Sequence, residues 1–125
     1  MLEQKTVLAA TVDVNLGVQI ADAAKALGAR CALVQRPSDL AARALTAAPD
    51  LVVLDLQLPG LDPALAVQQL GRASGARVPV VAFGRHTEAP ALRAARQGGC
   101  TEVLVRSDFF PKIGEVLGKY LNAQG

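Results

Sequence analysis

Short apolar runs alternate with amphipathic stretches along the whole chain. Thr6 to Ala10, Arg30 to Val34, Leu51 to Leu54, Val78 to Phe83 and Val103 to Val105 are aliphatic and rich in β-branched residues, and each predicts a strand. Between them, apolar positions recur at helical spacing. Leu16, Ile20, Ala23, Ala24 and Leu27 mark a first helix, closed by Gly28. Asp13 or Asn15, in the loop Thr11 to Asn15, is placed to cap it. Leu40, Ala41, Ala44, Leu45 and Ala48 mark a second helix, introduced by Pro37 and capped by Ser38. Asp62-Pro63 starts a third, an acidic cap followed by proline at the first helical position, with Leu65, Ala66 and Leu70 inward and a turn at Gly71 to Gly75. Gly84 ends the fourth strand, and Arg85 to Glu88 leads to a short fourth helix with Leu92 and Ala95 inward and Gly98-Gly99 at its end. The last helix has the clearest stripe, Ile113, Val116, Leu117, Tyr120 and Leu121, with Ser107 or Asp108 as its cap.

Five strands alternating with five helices predict an α/β fold, a parallel sheet with helices on both faces and right-handed crossovers. No repeat, linker or low-complexity tract interrupts the pattern. A single domain over residues 1–125 is expected, with no output domain.

Composition narrows the function classes. Hydrophobic residues make up 51% of the chain but aromatic ones only 3%, which suits layered α/β packing and not an aromatic-lined groove for RNA or sugar. The net charge of +2, with acids and bases interspersed, gives no electrostatic case for nucleic acid or membrane. Met1 to Lys5 has no signal-peptide pattern and no apolar run approaches a membrane span, so a soluble, cytoplasmic protein is expected. Cys31 and Cys100 have neither disulfide-framework nor zinc spacing, and Cys31 reads as a buried thiol in a strand. His86 is the only histidine and makes no metal set, and His86 with Cys100 does not establish a nucleophile–base pair.

One stretch is placed for chemistry. In Asp50-Leu51-Val52-Val53-Leu54-Asp55-Leu56-Gln57-Leu58-Pro59-Gly60, a strand apolar on both faces ends on a carboxylate and the chain then turns away. Open α/β sheets hold their sites at the carboxyl ends of their strands, which singles out Asp55.

This stretch resembles the phospho-acceptor strand of response-regulator receiver domains, the CheY-like family, and the resemblance in element order and length covers essentially the whole chain. It implies a flavodoxin-like, doubly wound five-stranded sheet of order 2-1-3-4-5. For Asp55 it implies the place of the phosphate acceptor, charged by a histidine kinase in a magnesium-dependent step. The other family positions depart from the pattern. The acidic pair after the first strand falls on Thr11 and Val12, with Asp13 one step beyond. The Ser or Thr after the fourth strand falls on Gly84, the switch aromatic on Val103, and the lysine that ends the fifth strand on Arg106. Magnesium prefers carboxylates, and phosphoryl transfer depends on charge neutralisation and positioning. With Asp55 alone, both are expected to be weak.

Asp55 then reads in two ways: a residual phosphate or ion site, or an acid paired with Arg106 at the end of the sheet. Asp13 and Asp62 read as helix caps before ligands. The resemblance also implies a partner-contact face on the fourth helix, fifth strand and last helix, represented by Arg93, Arg96, Phe109 and Phe110, with one Phe stapling the helix start and the other exposed.

The leading expectation is a stand-alone pseudo-receiver, not an enzyme, that needs no cofactor, binds other signalling proteins and can pair as a homodimer. One alternative is a working response regulator phosphorylated at Asp55, with magnesium, Asp13 standing in for the pair and Arg106 for the lysine. A second alternative is a small-molecule binder on the same scaffold, although Thr11 to Asn15 contains no glycine for a phosphate loop.

Overall fold

The computed structural model describes residues 4–74 and 78–122. Met1 to Glu3 and Gly75 lie outside them; of the turn expected over Gly71 to Gly75, residues 71–74 are instead the end of the third helix. Strands β1 (Thr6–Ala10), β2 (Arg30–Val34), β3 (Leu51–Asp55), β4 (Val80–Gly84) and β5 (Glu102–Val105) alternate with helices α1 (Val14–Ala26), α2 (Leu40–Ala47), α3 (Pro63–Ser74) and α4 (Ala89–Gln97). The fifth helical run comes in pieces: a first turn, α5 (Arg106–Phe109), a 3-10 turn over Phe110–Lys112, and α6 (Ile113–Asn122). All strand pairs are parallel and the order is β2-β1-β3-β4-β5.

The inner strands explain the apolar runs. Every residue of β1, β3 and β4 is buried, because helices cover both faces of the sheet. Alternate residues feed two cores. Val7, Ala9, Leu51, Val53, Val81 and Phe83 meet α1 and α6 on one side. Leu8, Ala10, Val52, Leu54, Val80 and Ala82 meet α2, α3 and α4 on the other.

Several sequence expectations need correction. Gly84 and Glu102 lie inside β4 and β5, and β4 begins at Val80, not Val78. Ser38 is not the cap of α2; it sits in a 3-10 turn (Pro37–Asp39) that leads straight into the helix. Leu45 and Leu65 point outward, 65% and 48% exposed, because the buried stripes of these short helices narrow to Leu40 with Ala44 and to Ala66 with Leu70. Leu27 is also exposed, at the C-cap of α1. Ala48 lies past the end of α2 in the left-handed region, φ 48°. Neither Ser107 nor Asp108 caps the last run, since the helix already begins at Arg106.

Two close approaches shape the ends of the sheet. A Cβ on Gly98 would lie 2.8 Å from the Ala64 backbone nitrogen, so the end of α4 packs directly on the start of α3. Gly60, at φ 79°, completes the turn that carries the chain from β3 to α3.

Candidate functional site

The carboxyl ends of β1, β3 and β4 bring Thr11, Asp55 and Gly84 to one edge of the sheet. Asp55 is only 2% exposed, and both of its oxygens are taken. The Thr11 hydroxyl donates to Oδ2 at 2.7 Å, and the Gln57 backbone N–H donates to Oδ1 at 2.9 Å. The Thr11 oxygen in turn accepts the Asp13 backbone N–H at 3.1 Å. A relay thus runs from the start of α1 through Thr11 to the end of β3. A buried carboxylate with fewer donors would be costly, and this relay is what makes its burial tolerable.

Asp13 is turned to other work. Its side chain caps α1 by accepting the Leu16 N–H at 3.1 Å. Its second oxygen lies 3.9 Å from Nη2 of Arg106. Arg106 therefore reaches Asp13, and no ion pair joins it to Asp55 among the described residues, which corrects that expectation. Asp55 is buried at the end of β3, whereas Asp13 lies half open at the loop after β1, where the guanidinium reaches it. The Nε of Arg106 is buried without a hydrogen-bond partner. Asp62 acts as the expected cap, accepting the Leu65 N–H at 3.3 Å.

Gly84 is crowded by two leucines. A Cβ there would lie 3.2 Å from Leu56 Cδ1 and 3.3 Å from Leu92 Cδ2. Leu56, the residue after Asp55, leans over the end of β4 and fills the place a side chain would take. The sequence pattern singled out Gly84 and missed Leu56. The signal was an apolar residue directly after the acid, where a polar pocket would favour a polar one.

Magnesium, which the fold implies, does not fit this site. One buried carboxylate, one threonine and a capping aspartate next to a guanidinium are a poor oxygen set for a hard dication. Among the described residues no three His, Cys, Asp or Glu side chains gather as a metal site.

The expected contact face divides. Arg93 and Arg96 are exposed on α4. Phe109 is fully buried, so it is not a contact residue, and Phe110 is half-buried, not exposed. Both rings pack with Phe83, with centroids at 5.2 Å for Phe109 and 5.1 Å for Phe110. These are all the phenylalanines of the chain, and together they pin β4 to the last helical run. Val103 is half-buried in β5, Val12 is exposed, and His86 lies exposed in the loop before α4. Cys31 and Cys100 are half-buried and unpaired with each other, and burial pushes both thiols up to about 11, so they stay protonated near neutrality.

No family model and no curated protein matches the sequence. Solved structures do match the fold. The receiver domain of a sensor histidine kinase from Pseudomonas aeruginosa PAO1, which has a magnesium ion in its active-site cleft, aligns with a TM-score of 0.80 at 20% identity, over 96% of this chain and 99% of that one. The phosphorylated cyanobacterial phytochrome response regulator RcpA aligns at 0.77 and 17% identity, over 97% and 96%. The response regulator domain of Thermotoga maritima CheB aligns at 0.74 and 15%, over 96% and 98%.

The fold is the receiver fold.

At these identities the likeness concerns architecture, and it bears out the flavodoxin-like sheet of order 2-1-3-4-5. Among the described residues no helix is long and apolar enough to cross a membrane.

Proposed function

We propose that this receiver-fold chain is a regulatory module that works by binding other signalling proteins, without efficient phosphorylation of Asp55 and without enzymatic activity of its own. The observation that carries the reading is the state of Asp55: a buried carboxylate whose oxygens are held by Thr11 and by the turn at Gln57. An acceptor must present a free oxygen to an incoming phosphoryl group, with a cation beside it. Here Thr11 and the Gln57 N–H already bond the carboxylate, and position 84 carries no hydroxyl and is crowded by Leu56 and Leu92. The neighbours named above support the signalling context through their fold.

The binding surface in this reading is the face made by α4, β5 and the last helical run. Arg93 and Arg96 project from α4, and a groove of about 560 Å³ runs along β5 between Glu102, Leu104, Asp108 and Lys112. A homodimer through this face is part of the same reading.

Amide NMR spectra recorded with magnesium and beryllium fluoride, a phosphoryl mimic, test the central claim. Unchanged resonances from Leu54 to Leu58 are the expected result. Saturable shifts there, together with shifts at Asp13, would show a working acceptor. Retention of a small molecule through purification, with shifts at the strand ends, would favour a ligand-binding scaffold instead.

A further inference from the structure

The edge of the sheet at β2 is built differently from the rest of the surface. β2 pairs only with β1. Arg30 N–H donates to the Lys5 carbonyl at 2.8 Å, and the Val34 carbonyl accepts the Thr11 N–H at 3.0 Å. In an extended strand successive residues aim their peptide groups in opposite directions. Cys31 and Leu33 therefore turn their N–H and C=O groups outward, toward no other strand among the described residues.

The two flanks of that edge have opposite chemistry. On the α1 side, Leu33 lies over Gly17, its methyls 3.6 and 3.7 Å from where a Cβ would be. Val14 and Val18 stand on either side of Gly17 on the same helix, 73% and 52% exposed, and Leu33 is itself 45% exposed. On the α2 side, a groove of about 480 Å³ is lined by Val34, Gln35, Arg36, Asp39, Ala42 and Arg43, and reaches Leu33 at the edge itself. Asp39 is committed to Arg36 at 3.3 Å, and no ion pair involves Arg43 among the described residues. The groove thus has an excess of positive charge.

We propose that β2 is a docking edge for an extended segment of a partner protein in which acidic and apolar residues alternate. Such a segment adds as a sixth strand beside β2, its backbone bonding the outward groups of Cys31 and Leu33. Its side chains alternate between the two flanks, so the apolar ones meet Val14, Val18 and Leu33 and the acidic ones meet Arg36 and Arg43. The charge of the groove selects against a basic segment. This surface is separate from the α4–β5 face and does not depend on the state of Asp55.

The test uses the whole chain and a short synthetic peptide alternating glutamate and valine, with a lysine–valine peptide as the control. Expected are saturable binding of the acidic peptide and slowed hydrogen exchange at the Cys31 and Leu33 amides. The Arg36→Glu/Arg43→Glu variant, changed only at exposed positions, should bind roughly tenfold more weakly. Leu33→Pro, which removes one outward N–H at an edge where proline is tolerated, should lose binding, whereas Leu33→Ala keeps part of it. Unprotected amides at saturating peptide, equal binding of the lysine peptide, or protection at β5 instead of β2 would each overturn the proposal. If Leu33→Pro fails to fold, the exchange measurement on the unaltered chain decides alone.

Discussion

At the scale of single residues, the acid that ends β3 is bonded into the surrounding fold. Thr11 is the side-chain donor that makes a buried Asp55 tolerable. Thr11→Val removes that donor while keeping the shape. It is expected to cost about 1–3 kcal/mol, the usual penalty for a buried polar group that loses a partner, read from denaturant unfolding. Thr11→Ser should recover most of the loss, and a variant with no change would show that the hydroxyl is dispensable. Gly84 makes a second case. Gly84→Ser puts a Cβ against Leu56 and Leu92 at 3.2–3.3 Å and should destabilise by about 1 kcal/mol, the crowding outweighing what a side chain gains over glycine in a strand. Adding Leu56→Ala opens space at the clash, so the double variant should lose less than the sum of the two single changes. Strict additivity in that cycle would refute the packing described here.

At the scale of elements, the pattern of apolar runs located every strand, most clearly β1, β3 and β4, which are buried on both faces and so need apolar residues on both. β1 and β2 fall where the pattern placed them, and β3 extends only to include Asp55. Helix faces were less legible. Leu45 and Leu65 look like core by spacing, but a short helix on an open sheet buries only part of an apolar stripe. Pairings at the site were less legible still. Which of Asp13 and Asp55 receives Arg106 depends on which carboxylate oxygens are already bonded, and that is a three-dimensional fact. The contact between α3 and α4 is likewise invisible in the pattern, since Gly98-Gly99 reads as a plain stop. Gly98→Ala should cost about 1–3 kcal/mol, because its Cβ meets backbone at 2.8–3.0 Å and not a flexible side chain. The same change at Gly71, which has open space around it, should be near neutral or stabilising, and the paired thermal melts separate the two.

At the scale of the whole molecule, one polar tie closes the last helix onto the sheet. Tyr120 donates to Glu102 Oε1 at 2.7 Å, and Lys119 Nζ approaches the same oxygen at 2.7 Å. Burial alone would raise the Glu102 carboxyl, but the bonds from Lys119 and Tyr120 outweigh it and hold it below its usual value. Burial, then the Glu102 bond, pushes Tyr120 from 10 up to about 12. The lowered acid contributes stability above its unfolded value, and this is lost as pH falls through the folded one. The raised phenol contributes stability below 10, lost as pH rises toward about 12. Unfolding midpoints should therefore fall away on both sides of neutrality. Tyr120→Phe should flatten the alkaline fall and Lys119→Met the acid one, and unchanged limbs would remove the tie from the account. The leucine lying across the end of β4 also bears on descent. A side chain gained at position 84 has to displace the leucines at 56 and 92, so these positions are expected to change together among related chains.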